Sequence, residues 1–329
     1  MAKVGVVGGG SWGTSLANVL ADNGHHILIY MRDPQAAKDF NENHSLEKYM
    51  PGFTFNKGLE ASSNIEDLKN YDTLIFAVPT QNIRQVIEEN KALFMDKLIV
   101  NASKGIEIST GKLISDIFGE YYNKEDFVCL SGPTHAEEVA ISMPSAIVSS
   151  SLSQANMEFI QDLFMNDYFR VYTNPDLKGV EIAGACKNIL SLGIGIIDGL
   201  GFGDNTKAAI LTRGIHEIAR LGTKLGARQE TFYGLAGIGD LIATATSPHS
   251  RNRQAGILIG KGKSLEETEK EVGMVVEGIK TTTAVYELKE KLGVEMPITD
   301  EIYKVIYLGA DIEKTSTNLM QRDKKSEQY

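Results

Sequence analysis

The stretch GACKNIL, residues 184–190, puts an ammonium group into an apolar, glycine-studded run from Val180 to Leu200. Its spacing predicts a helix over 178–197, with Gly184 and Ser191 on the Lys187 face at i−3 and i+4. Burial in an apolar wall lowers a lysine pKa, and so does a second cation nearby. A lysine tuned toward neutrality can give and take protons. A lysine whose stem runs along the wall to water has no such role, and the pattern alone leaves both open.

Other segments carry matching chemistry. ASKGIE holds Lys104, SGPTHAEEV holds Gly132, Thr134 and Ala136, and GLAGIGDLIATATS reads as a glycine-rich loop around the lone carboxylate Asp240. Such a carboxylate suits a buried lysine or a substrate hydroxyl. HSRNRQAG offers Ser250, Arg251 and Asn252 at a helix start, where hydroxyl, guanidinium, amide and free N–H groups suit a phosphate or carboxylate. An ordinary cap with a surface arginine fits the same letters. GMVVEGIKTT places Glu277 in an apolar setting, as a cofactor contact or a helix-capping acid.

A further constellation opens the chain. Gly8, Gly10 and Gly13 have the spacing G-x-G-x-x-G, between the strand VGVV and an amphipathic helix over Ser11–Asn23. The first glycine permits a tight turn, the second lets a pyrophosphate approach the backbone, and the third lets helix and strand pack closely. The helix N-terminus adds free N–H groups and partial positive charge. At the tip of the next strand, Arg32 suits an adenosine 2′-phosphate and Asp33 a free ribose, which together suggest use of both NADPH and NADH. Trp12, the single tryptophan, lies against the cofactor or fills a gap beside it.

These residues need a scaffold that brings them to one edge. Short β-branched runs at 4–7, 27–30, 73–78, 98–101, 127–130, 146–148 and 170–172 alternate with helical segments, which predicts a doubly wound, mostly parallel sheet of Rossmann type. Ligands of such sheets bind beyond the carboxyl ends of the strands, where Lys104 and Thr134 fall. Thr134 and Glu137 fit a capping box. After the turn-rich NPDLKG, helical patterns dominate at 178–197, 206–225, 251–259, 264–272, 279–292, 299–307 and 315–321. Pro297 is expected to close one helix and Thr299 to cap the next. The division expected is a dinucleotide-binding domain over 1–177 and an all-α substrate domain over 178–329, with a fraying tail, RDKKSEQY.

The net charge of −10 argues against a nucleic-acid partner, which would call for a basic face. Two cysteines make neither a disulfide framework nor a cysteine-rich metal site. With no leader peptide and no uninterrupted apolar span, the expected location is cytoplasmic, without stable membrane insertion.

GGGSWGTSLA, VPTQNIR, SKGIE, LSGPTHAEEV, GACKNIL, GFGDNTKAA, GLAGIGDL, SPHSRN and GMVVEGI occur in this order. On these motifs the chain resembles bacterial NAD(P)-dependent glycerol-3-phosphate dehydrogenases along nearly its whole length. Gly9, Cys186 and Ala245 depart from common family residues, none at a proposed role. The resemblance implies reduction of dihydroxyacetone phosphate to sn-glycerol 3-phosphate with NADPH or NADH, supplying the glycerophospholipid backbone, by a homodimer. It implies Lys187 as the general acid–base, and Lys104, Gly132, Thr134, Asp240, Ser250, Arg251 and Asn252 as substrate contacts. It places Gly8, Gly10, Ser11, Trp12, Gly13, Arg32, Tyr49, Lys104, Gly132, Ala136, Arg251, Val275 and Glu277 along the cofactor. The rivals are a two-domain β-hydroxyacid dehydrogenase, whose helical signature is Lys-x-x-x-Asn, and a non-catalytic NAD(P) sensor. In this chain Asn188 follows Lys187 directly and Ser191 stands at i+4.

Overall fold

The computed structural model describes residues 1–324, 326 and 327, the side chains of Glu313 and Ser316 aside. Lys325, Gln328 and Tyr329 of the tail expected to fray lie outside the described residues. The first half alternates strands β1 (Lys3–Val7), β2 (His26–Tyr30), β3 (Ser45–Leu46), β4 (Met50–Thr54), β5 (Glu60–Ser62), β6 (Thr73–Phe76), β7 (Leu98–Asn101), β8 (Phe127–Ser131), β9 (Ser145–Ser151) and β10 (Phe169–Asn174) with helices. Those helices are α1 (Ser11–Asp22), α2 (Pro34–Asn43), α3 (Ile83–Glu89), α4 (Ile114–Phe118), α5 (Ala136–Ala140) and α6 (Gln154–Phe164).

Eight strands form one sheet in the order β10-β9-β8-β7-β6-β1-β2-β5. All neighbours run parallel except β8 and β9. The chain order reverses direction at β1, so the crevice between β1 and β6 is the switch point where such sheets bind ligands. Val7 pairs with Tyr30 and Phe76, and Phe76 with Asn101, so four strands end level and their loops share one edge. The strands β3, β4 and β5 are additions to the expected set. β3 and β5 are short, and in β4 Pro51 and Gly52 interrupt the alternation that marks a strand.

From α7 (Leu177–Gly199) onward the described elements are helical: α8 (Asp204–Lys224), α9 (Asp240–Thr246), α10 (Arg251–Gly260), α11 (Leu265–Val272), α12 (Glu277–Leu292), α13 (Pro297–Leu308) and α14 (Ile312–Met320). Helix α7 is long and apolar enough to cross a membrane by composition, yet its apolar window is wholly buried in protein. Its closest neighbour is α10. A Cβ on Gly195 would stand 2.8 Å from the Gly256 Cα, and one on Gly199 would stand 2.9 Å from the Gly260 Cα. Glycines on both helices therefore let the two backbones touch.

Three local expectations need correction. Pro297 opens α13 rather than closing α12, because a residue at the first helical position has no intrahelical N–H bond to lose. Thr299 then lies inside α13, where its N–H donates to the Glu217 carboxylate of α8 at 3.3 Å. Thr134 and Glu137 make no capping box. Helix α5 starts two residues after Thr134 with His135 as its cap position, and the Thr134 hydroxyl donates to the Gly132 carbonyl at 3.3 Å. The segment around Asp240 is not a loop but one widened turn, Leu235–Gly239, running into α9.

Candidate active site

Helix α7 carries Lys187 where its side chain is 8% exposed. The ammonium donates to Asp240 Oδ1 at 2.7 Å and to Thr244 Oγ1 at 2.5 Å. Asp240 opens α9, and Thr244, one turn on, donates its hydroxyl to the same carboxylate at 3.2 Å. The other carboxylate oxygen accepts from Lys104 Nζ at 2.6 Å. Lys104 also donates to the Gly132 carbonyl at 3.1 Å, the acceptor that Thr134 uses. One carboxylate thus stands between two ammonium groups, 2% exposed, and the Lys104 side chain, 16% exposed, is its wetter neighbour.

The electrostatics follow from burial and this pairing. Burial pushes the Lys187 ammonium down to about 8; Asp240 opposes that fall and Lys104 adds to it. For Asp240 burial acts upward, but Lys104 and Lys187 outweigh it and hold the carboxyl below its usual value. Lys187 is therefore a buried lysine poised near neutral pH, not one reaching for the surface.

Behind this triad the polar groups of α10 turn inward. Ser250 caps α10, accepting from the Arg253 N–H at 3.3 Å and pairing with Ser191 Oγ at 3.1 Å. The Asn252 amide donates to Asn188 Oδ1 at 2.9 Å, and its oxygen accepts from the Gly278 N–H at 2.8 Å. Ser250 thus braces α7 against α10, and Asn252 ties α7 and α10 to α12. Arg251 is half-buried, with Nη1 3.9 Å from Met274 Sδ, and its charge is felt at Glu277.

The opening loop has the shape a dinucleotide needs. Gly8 adopts φ +120°, and a Cβ there would stand 2.5 Å from the Ala77 carbonyl oxygen. Gly13 packs on the Gly8 carbonyl, so helix and strand meet there. Gly10 faces open space, and α1 begins at it with no side chain capping its N–H groups. Trp12 Nε1, Thr14 Oγ1, Thr80 Oγ1 and Glu277 Oε2 are buried near this edge with no partner among the described residues. The other Glu277 oxygen accepts from the Thr80 N–H, just past β6, at 3.2 Å, and burial raises its pKa. Open cradle, free N–H groups and orphaned polar atoms fit a nicotinamide dinucleotide.

Around the loop, Ser11 is half-buried at the start of α1, and one turn on Ser15 donates to the Ala136 carbonyl at 3.0 Å. Tyr49, half-buried in the turn between β3 and β4, packs on the same core as Trp12. Arg32 is exposed just past β2, and Asp33 caps α2 by accepting from the Gln35 N–H at 2.9 Å. Val275 is 48% exposed two residues before Glu277. Thr244 and Thr80 were missing from the sequence-derived set. Thr244 stands at i+4 from Asp240, a signal legible once that segment is read as helix.

A family model described as "NAD-dependent glycerol-3-phosphate dehydrogenase N-terminus" matches residues 3–157, and its C-terminus counterpart matches 176–317. A Clostridium botulinum protein named glycerol-3-phosphate dehydrogenase [NAD(P)+] is 48% identical, covering 99% of each chain. One of the same name from Halalkalibacterium halodurans is 50% identical over 99% of this chain and 96% of its own. The crystal structure of glycerol-3-phosphate dehydrogenase from Coxiella burnetii superimposes with a TM-score of 0.93 at 31% identity, covering 98% of this chain and 99% of that one.

Proposed function

The chain belongs to the NAD-dependent glycerol-3-phosphate dehydrogenase family, and we propose that it reduces dihydroxyacetone phosphate to sn-glycerol 3-phosphate with Lys187 as general acid–base. The observation that carries this reading is the buried Lys187 ammonium, 2.7 Å from Asp240 and lowered to about 8. A nicotinamide cofactor supplies the hydride when bound. Charge then grows on the substrate carbonyl oxygen. Lys187 delivers a proton to it, and Lys104 stabilises it by charge. Asp240 holds both ammonium groups in place, and Thr244 fixes its orientation. Arg251 holds the substrate phosphate as a bidentate donor. Thr134 and the Gly132 backbone border the substrate beside Lys104. Ser250 and Asn252 would contact the substrate beside Arg251 and also brace the wall that carries Lys187.

Gly8, Gly10, Ser11, Trp12, Gly13, Tyr49 and Ala136 would line the cofactor, with Val275 and Glu277 at its other side. Arg32 would take the 2′-phosphate of NADPH, since Asp33 is engaged as a helix cap. The product would feed glycerophospholipid synthesis. We further propose two domains meeting near residue 177, a cytoplasmic location and a homodimer.

Lys187→Ala tests the core of this reading. The variant should fold and bind NADPH, as followed by Trp12 fluorescence, while turnover of dihydroxyacetone phosphate drops at least ~100-fold, the scale of a lost acid–base group. Turnover within a few-fold of the parent would refute the assignment.

A further inference from the structure

Lys104 stands in a stretch that has no helix or strand of its own. Residues 102–113 run from the end of β7 to the start of α4. Backbone groups in such a stretch must find partners elsewhere, and those partners decide where the chain lies. The segment after β6, residues 78–84, supplies several of them.

Just before Lys104, the Ser103 hydroxyl donates to the Val78 carbonyl at 2.6 Å. The Asn101 side chain accepts from the Ser103 N–H at 3.2 Å and donates to the Ser103 carbonyl at 2.9 Å. Just after Lys104, Gly105 lies on the short turn Thr80–Asn82, where a Cβ at 105 would stand 2.5 Å from Thr80 Oγ1. Gln81 then takes hold of the chain. Its amide donates to the Ile106 carbonyl at 2.9 Å and accepts from the Ile108 N–H at 3.0 Å. One side chain thus pairs on both sides of residue 107, as a residue of a neighbouring parallel strand would. Turning the amide over would set oxygen against oxygen and N–H against N–H, so this orientation alone fits.

Arg84 grips the residue in between. Its Nε and Nη2 donate to the two oxygens of Glu107 at 2.8 Å and 2.9 Å, a bidentate pair, and Glu107 is 5% exposed. Arg84 Nη1 also donates to Tyr121 Oη at 3.2 Å, beyond α4. The loop is therefore fastened two to four residues past Lys104. The Lys104 ammonium ends a flexible four-carbon stem, so the backbone beneath it decides what it reaches. What it reaches is Asp240 Oδ2 at 2.6 Å and the Gly132 carbonyl at 3.1 Å.

We propose that Gln81, backed by the Arg84–Glu107 pair, is a positioning residue that holds this loop so that Lys104 meets Asp240 and the substrate. The inference rests on the reading of Lys104 as the charge beside the reacting carbonyl oxygen. The Gln81 amide bonds to the backbone of Ile106 and Ile108, so its influence reaches the site through the chain that joins them to Lys104.

The test is a double-mutant cycle in the full chain, read as kcat/KM for dihydroxyacetone phosphate with NADPH, on the parent, Gln81→Leu, Lys104→Ala and the double variant. Gln81→Leu should lower kcat/KM ~10- to 100-fold, the scale of a reacting group displaced by about an ångström. In the Lys104→Ala background the same substitution should change it less than ~2-fold, because the group that Gln81 positions is gone. A loss of equal size in both backgrounds overturns the proposal, since a general loosening of the fold acts in both. So does a Gln81→Leu enzyme as fast as the parent, even if its melting temperature falls. If Gln81→Leu does not fold, Gln81→Glu takes its place in the cycle under the same criteria; it keeps an acceptor for the Ile108 N–H and loses the donor to Ile106. A Lys104→Ala enzyme as fast as the parent removes the reading of Lys104 and the proposal with it, and that single variant distinguishes the two failures.

Discussion

Replacing Asp240 by asparagine keeps shape and removes one charge from between two lysines. Asp240 Oδ1 is 2.7 Å from Lys187 Nζ, and Oδ2 is 2.6 Å from Lys104 Nζ. At an effective dielectric of about 20, an ion pair at such a distance is worth ~6 kcal/mol, or ~4 pKa units at about 1.4 kcal/mol each. Relaxation of the neighbours reduces this, and ~2 units is a conservative floor. Lys187 starts at about 8 in the parent. In Asp240→Asn it falls to ~6 or below, so at neutral pH the protonated fraction drops between ~10-fold and ~1,000-fold. The rate of NADPH oxidation with dihydroxyacetone phosphate should fall by that factor. It should recover toward acid pH, about tenfold per unit. Thermal melting monitors the fold in parallel. A loss of rate that is uniform with pH, or an alkaline limb still near the parent position, would show that Asp240 does not set the Lys187 proton.

Three further outcomes follow from the same geometry. Arg32→Ala should weaken NADPH binding ~10- to 100-fold, the worth of one charged hydrogen-bond partner, and leave NADH nearly unchanged in a fluorescence titration. Gly256→Val drives a side chain into the Leu192 carbonyl and the Gly195 backbone of α7, and should cost about 3 kcal/mol or more in denaturant unfolding. Glu217, buried on α8 beneath the start of α13, is raised by burial to about 7. A raised carboxyl stabilises the fold below its unfolded value and loses that contribution as pH climbs through the folded one. The melting temperature of the parent should therefore decline between mildly acidic and neutral pH, and Glu217→Gln should flatten the decline, worth about 3 kcal/mol.

The cofactor loop was legible because its spacing encodes backbone geometry, and backbone geometry is local. Lys187 was legible as a charge where no charge belongs. What sequence could not show was distance. Lys104 and Asp240 lie 136 positions apart and Lys187 and Asp240 lie 53 apart; the packing of α9 against α7 joins the second pair, and the loop after β7 brings Lys104 to the same carboxylate. Thr244 was lost because glycines before Asp240 suggested a loop, although the helix begins at Asp240 itself. Ser250 and Asn252 were read as facing a ligand. Their polar atoms also meet Ser191, Asn188 and Gly278, contacts that nothing in SRN announces. The hairpin was hidden because β3 is only two residues long and Pro51 and Gly52 break the alternation of β4.

The glycine seam between α7 and α10 has a cost during synthesis. Helix α7 leaves the ribosome as an apolar segment of 23 residues, and its partners α8, α9, α10 and α12 are all encoded after it. Roughly 60 more residues must be made before Gly260 can meet Gly199, which takes on the order of 3–12 seconds at ~5–20 residues per second. For that interval a helix with the hydropathy of a membrane span is covered only on the side that meets β8 and β9, made before it. The nascent chain is then a client for chaperones, and truncation after α7 should yield aggregates rather than a folded fragment.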